Sequence, residues 1–112
     1  MQAVPVPPVR EGETPADVLK PGGQNVGELG GNSGIRILPG GEEEARKLFE
    51  RLTKGKGRID ITPPTHLGQV IRLPDGSVIG FRPASTTKPA TIDTNVPELA
   101  VRELKFPEGK SL

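Results

Sequence analysis

The apolar residues of this chain change their spacing once, and that change constrains the fold more than any other feature. Ala45, Leu48, Phe49 and Leu52 fall at i, i+3, i+4 and i+7, the single apolar stripe of an amphipathic helix. Glu42, Glu43 and Glu44 fill its first turn and Lys54 its last, which complements the helix dipole, and Gly55 suits the position just past the end. After Gly57 the period becomes two, as in strands with one covered face. Gly57–Ile61, Gln69–Leu73, Ser77–Arg82, Ala90–Val96 and Leu99–Phe106 are the candidate strands. Pro74, Asp75 and Gly76 join the second to the third as a hairpin, with proline presetting φ and glycine taking the left-handed position. The pattern predicts an α+β fold, an amphipathic helix packed on a four- to five-stranded antiparallel sheet.

The 15 glycines and 13 prolines make up a quarter of the 112 residues, and they crowd the first 34. A stretch so short of apolar residues cannot offset its ordering entropy, so residues 1–34 read as a disordered Pro/Gly-rich linker or tail and residues 35–112 as the domain. One local exception runs from Thr14 to Lys20, with threonine at the N-cap, Pro15 at the first helical position and Asp17 in the first turn, stopped by Pro21, Gly22 and Gly23. A core this small leaves only ~3–5 kcal/mol of stability, so a tight partner would contribute appreciably.

Cysteine is absent, which excludes disulfide scaffolds, thiolate metal sites and cysteine nucleophiles together. His66 is the one histidine, so a multi-histidine metal centre is excluded; a carboxylate site for a hard cation stays open, but chemistry without metal or cofactor is expected. No apolar run approaches the ~20 residues of a membrane helix, and Met1–Pro5 lacks the features of a signal peptide. Export, if it occurs, is expected to depend on something outside this chain. The net charge is only +1, yet Arg46, Lys47, Arg51, Lys54, Lys56 and Arg58 place six of the fifteen cationic residues within thirteen positions.

Read together, Glu44–Thr53, the run Val70-Ile71-Arg72-Leu73-Pro74-Asp75-Gly76-Ser77-Val78-Ile79-Gly80-Phe81-Arg82-Pro83-Ala84-Ser85 and Pro89-Ala90-Thr91-Ile92-Asp93 resemble the C-terminal effector domain of a bacterial polymorphic toxin. Such tips are carried by contact-dependent inhibition, Rhs, type VI and LXG systems. Domains of this look are similar to the ribonuclease fold shared by barnase, EndoU, colicin-type tRNA nucleases and RelE. The resemblance implies metal-independent RNA cleavage, with tRNA a favoured substrate, and a cognate immunity protein. It also implies secreted or cell-surface delivery as the tip of a larger protein, with action in the target-cell cytoplasm. Where many relatives carry Ser-Gly after the serine, this chain has Thr86, Thr87 and Lys88.

Cleavage by the neighbouring 2′-OH needs a base, an acid and cations around the phosphorus. His66 stands in a loop, where an imidazole exchanges protons near neutrality; a loop histidine without a task is the plain alternative. Arg82 ends the strand that leaves the hairpin and is expected to project into the Pro83–Pro89 loop, a place to hold phosphate bidentately. Ser85, Thr87, Lys88 and Thr91 offer hydroxyls and an ammonium to the same phosphate, although loops rich in Ser and Thr are common. Asp93, two residues beyond Thr91 and on its face, suits orienting Arg82 or His66, or acting as a base; otherwise it is a solvated strand carboxylate. Arg46, Lys47, Arg51, Lys54, Lys56, Arg58 and Arg72 are the candidate RNA-backbone contacts, set against the simpler reading of glutamate–cation pairs on an exposed helix. A non-enzymatic interaction module, and a toxin tip with DNase or other activity, are the competing classes.

Overall fold

A computed structural model of the chain describes residues 14–20, 23–54, 57–97 and 99–107. These form two helices and a seven-stranded mixed sheet, an α+β fold. Helix α1 is Pro15–Leu19 and helix α2 Gly41–Thr53; the strands are β1 (Glu28–Leu29), β2 (Ile35–Ile37), β3 (Ile59–Asp60), β4 (Gln69–Arg72), β5 (Val78–Arg82), β6 (Ala90–Asn95) and β7 (Glu103–Phe106). The sheet order is β1-β2-β7-β6-β5-β4-β3.

Two corrections to the expected architecture have physical causes. The sheet has seven strands rather than four or five because β1 and β2 are segments of two and three residues, too short to show a period. It is mixed rather than antiparallel because β2 pairs with β7 in parallel, Ile35 opposite Glu103 and Ile37 opposite Lys105. Topology forces that pairing. Helix α2 carries the chain across from β2 to β3, four antiparallel reversals lead from β3 to β7, and β7 therefore runs with the strand that began the crossover.

The expected hairpin between β4 and β5 closes with the Leu73 amide donating to the Ser77 carbonyl at 2.9 Å. Asp75 Oδ1 accepts from the Ser77 amide at 2.8 Å, and Gly76 takes φ +93°. The last strand is shorter than its apolar pattern suggests, since the Leu99 amide turns back to the Val96 carbonyl at 3.1 Å before β7 begins.

Period two now sorts the sheet into two faces. Ile71, Ile79, Phe81, Ile92, Leu104 and Phe106 are buried on one side. Ala45, Phe49 and Leu52 of α2 cover them, with Leu48 partly buried beside the same core and the Phe49 and Phe81 rings 5.9 Å apart. Val70, Arg72, Arg82, Asp93, Asn95, Glu103 and Lys105 alternate with these residues and occupy the face without α2.

The assignment of residues 1–34 to a tail needs correction from Thr14 onward; residues 1–13 lie outside the described part. Thr14 Oγ1 accepts from the Asp17 amide at 3.2 Å and Asp17 Oδ2 from the Thr14 amide at 3.1 Å, a complete capping box. That helix delivers Val18 and Leu19 to the core, Leu19 only 2% exposed, with Ala16 and Val26 packed against the same cluster. Composition hid this because two well-placed apolar side chains suffice to tie a glycine-rich segment down. Leu19→Ala should therefore lower unfolding stability by ~2–5 kcal/mol in chemical denaturation, the range for a buried leucine; a loss below ~1 kcal/mol would place α1 outside the cooperative core.

Candidate functional site

The face without α2 carries a compact cluster of four charged residues. Arg82 on β5 and Asp93 on β6 are diagonal neighbours, since Gly80 is the residue directly opposite Asp93. The guanidinium reaches across, Nε donating to Asp93 Oδ2 at 2.8 Å and Nη2 to Oδ1 at 2.9 Å. Glu103 of β7 stands directly opposite Asp93, with Oε2 3.6 Å from Arg82 Nη2 and Oε1 3.6 Å from Lys105 Nζ. Two like charges across a strand pair repel, and Arg82 sits where it offsets both. The Asp93 hydrogen bonds hold the Arg82 guanidinium above the usual arginine value, against a smaller lowering by partial burial.

This geometry corrects one expectation. Arg82 does not project into the Pro83–Pro89 loop; it lies over β6, because a paired carboxylate on a neighbouring strand is a better partner than open solvent. The loop is occupied with itself. Ser85 Oγ accepts the amides of Thr87 at 3.3 Å and Lys88 at 3.1 Å, and the Ser85 amide donates to the Lys88 carbonyl at 2.9 Å. Thr91 is buried and its hydroxyl donates to the Pro89 carbonyl at 3.1 Å. Thr87 and Lys88 are exposed. The hydroxyls of Ser85 and Thr91 thus shape their own loop rather than joining Arg82.

His66 comes to the same face by another route. Its Nδ1 accepts from the Gly68 amide at 2.9 Å, so the neutral ring carries its proton on Nε2. Gly68 is required there: a Cβ would collide with the Phe81 carbonyl of β5. The imidazole lines a shallow depression of about 520 Å³ with Val70, Val78, Gly80, Asp93 and Asn95. Arg102 closes its rim, its Nη1 donating to the Leu99 carbonyl at 2.6 Å. His66 and Asp93 therefore meet at one concavity, and Arg82 joins it through Asp93.

The basic residues of α2 lie on the opposite side of the sheet. Arg46 pairs with Glu42 at 2.8 Å and lies 4.8 Å from the Phe81 ring centre. Lys47 is held by Glu44 at 3.2 Å, which raises its affinity for its proton. Arg58 stands 3.9 Å from Glu50 and donates to Thr53 Oγ1 at 3.1 Å. Arg51 is half-buried and Lys54 exposed, while Lys56 lies outside the described residues. Of the candidate backbone contacts among the described residues, Arg72 alone shares the face of the cluster, opposite Val78.

Glu103, Lys105, Asn95 and Arg102 are the members that sequence reasoning missed. The alternation of Glu103, Leu104, Lys105 and Phe106 places both charges on the outer face, but their apposition to Asp93 depends on a register that the Val96–Arg102 turn sets. Among the described residues, no group of three or more His, Asp or Glu is placed to hold a metal ion. None of the described helices is long and apolar enough to cross a membrane. The chain matches no protein-family model, no curated protein and no solved structure.

Glu42 links α2 to the Pro83–Pro89 loop. Its Oε1 accepts the Ala84 amide at 2.9 Å, tying the start of the Pro83–Pro89 loop to α2, while Oε2 takes Arg46. The Ala84 amide first, then Arg46, hold the Glu42 carboxyl below its usual 4.5. A carboxyl depressed in the folded state stabilises the fold fully above its unfolded value and loses that contribution as pH falls through the folded value. Glu42→Gln should therefore flatten the fall in melting temperature between about pH 5 and about pH 3; identical slopes for wild type and variant would detach Glu42 from the acid sensitivity.

Proposed function

We propose that this chain is the effector tip of a bacterial toxin and cleaves RNA, with a cognate immunity protein as its inhibitor. One observation carries the reading: Asp93 clamps Arg82 by two short hydrogen bonds at the border of a concavity that His66 also lines. A guanidinium preset in this way offers its remaining N–H groups to a phosphate without reorganising, which is the largest single contribution available to phosphoryl chemistry. Lys105 adds a second cation on the same face.

The roles follow from the hydrogen bonds. Both Asp93 oxygens already accept from Arg82, so Asp93 positions the guanidinium. Glu103 faces its cations at 3.6 Å, too long for hydrogen bonds, and keeps acceptor capacity for the 2′-OH proton. Attack of that oxygen forms the bond to phosphorus and expels the 5′-oxygen, which takes a proton from solvent on this open face. With Nδ1 accepting from Gly68, the His66 ring presents Nε2–H, a donor suited to a non-bridging phosphate oxygen. On this reading that contact stands beside the part expected of His66 in proton transfer. With no Trp or Tyr in the chain, recognition rests on phosphate and shape more than on stacking. Delivery as part of a larger secreted protein belongs to the same reading.

A second reading, a non-enzymatic interaction module, draws on Ile59 and Ile61 in and beside β3 and on Leu67, which is 90% exposed. Purified protein incubated with total RNA and with plasmid, each with and without EDTA, separates the classes. RNA should be cut and plasmid spared, with EDTA making no difference. Arg82→Ala and His66→Ala should each lower the cleavage rate of a tRNA pool ~100–1000-fold while their melting curves stay close to wild type. Intact RNA under every condition, or wild-type rates for both folded variants, would remove this site from consideration.

A further inference from the structure

The depression beside the charged cluster has the build of a base-reading subsite, and we infer that it receives one nucleobase of a bound RNA strand, with Asn95 reading the base edge. This rests on the ribonuclease reading above and names what the substrate presents to it. Val70 on β4 and Val78 on β5 form apolar walls, and Gly80 between them is the floor. The volume of about 520 Å³ lies within the ~300–1,000 Å³ usual for pockets that take small organic groups.

Gly80 is the informative residue. Its backbone does not take the positive φ that would demand glycine. A Cβ there would lie 3.7 Å from Asp93 and 3.8 Å from the Gln69 carbonyl, ordinary contact distances. The fold would accept alanine, so the consequence of glycine at this point is open space in the middle of the face. Every other position of β5 carries a side chain, and the depression lies over the one that does not.

Asn95 stands opposite Val78 across the β5–β6 pair, exposed, and its side chain makes no hydrogen bond to another described residue. An amide supplies two donors and an acceptor in one plane, the set that matches the edge of a purine or pyrimidine. Two valine walls beside the Asn95 amide, with His66, Asp93 and Arg102 completing the lining, offer a heterocycle both apolar contact and hydrogen-bond partners for its edge. Asp93 borders both the depression and Arg82, so a base seated over Gly80 leaves its own phosphate within the reach of the guanidinium.

The test is a titration of the full chain, followed by amide resonances, with AMP, GMP, CMP and UMP and with ribose 5-phosphate. The Val70, Gly80 and Asn95 amides should shift, and at least one nucleotide should bind about tenfold more tightly than ribose 5-phosphate. Asn95→Ala should level the four nucleotides, and Gly80→Ala should weaken all of them while ribose 5-phosphate binds as before. Nucleotides no tighter than ribose 5-phosphate, or a base preference that survives both substitutions, would overturn the subsite. Cleavage of total RNA measured in parallel keeps the two ideas apart. Cutting without base-dependent binding removes the subsite and spares the ribonuclease; base-dependent binding without cutting does the reverse.

Discussion

A single helix covering one face of a sheet dictates where everything else in this protein can go. Because strand side chains alternate, burying Ile79, Phe81, Ile92 and Leu104 under α2 sends Gly80, Arg82, Asp93 and Glu103 to the other side as one set. A slip of one residue between β5 and β6 would send charges under the helix, and the cost of burying them unpaired fixes the register. The same constraint that makes the core makes the charged face, so the cluster needs no device of its own to be assembled.

The energetics of that cluster are uneven. Arg82 and Asp93 are each close to half exposed, where an ion pair contributes ~1 kcal/mol or less even with two good hydrogen bonds. Its value lies in geometry: the bidentate contact fixes the guanidinium plane, and a fixed plane is what preorganisation requires. Asp93 and Glu103, directly opposed, would repel without Arg82 between them. Lys105 balances the second carboxylate, leaving the four residues neutral in sum.

The strongly periodic parts of the fold were legible in the sequence. The stripe from Ala45 to Leu52 is α2, and Pro74-Asp75-Gly76 is the turn between β4 and β5, because local spacing and turn chemistry encode both directly. The parallel pairing of β2 with β7 was not, since it follows from a crossover spanning the whole sheet and leaves no local trace. Helix α1 was visible in its N-cap threonine, Pro15 and Asp17, but its burial depends on tertiary packing that the Pro/Gly content around it concealed. At the site, Arg82, Asp93 and His66 could be picked out as chemical types, whereas Glu103 and Lys105 needed the β6–β7 register to become neighbours. Glycine carried the least signal of all, since Gly68 and Gly80 matter through the side chains they lack.

The neutrality of the cluster bears on how an anion would enter it. On the ribonuclease reading, a phosphate approaching Arg82 meets two carboxylates already in place, and long-range attraction is correspondingly small. Exchange is then the relevant process. Asp93 holds Arg82 by contacts of 2.8 and 2.9 Å, whereas Glu103 stands 3.6 Å from both Arg82 and Lys105. A half-exposed ion pair at that separation contributes little, while a phosphate oxygen can make short charge-assisted hydrogen bonds to the same N–H groups. On the ribonuclease reading the phosphate displaces Glu103 from its cations and leaves Asp93 where it is. The displaced carboxylate loses its ion pairs as the nucleotide arrives, and an unpaired carboxylate is a stronger acceptor for a hydroxyl proton. On that reading substrate binding and base activation become one event, set by the difference between 2.8 Å and 3.6 Å on two sides of the same guanidinium.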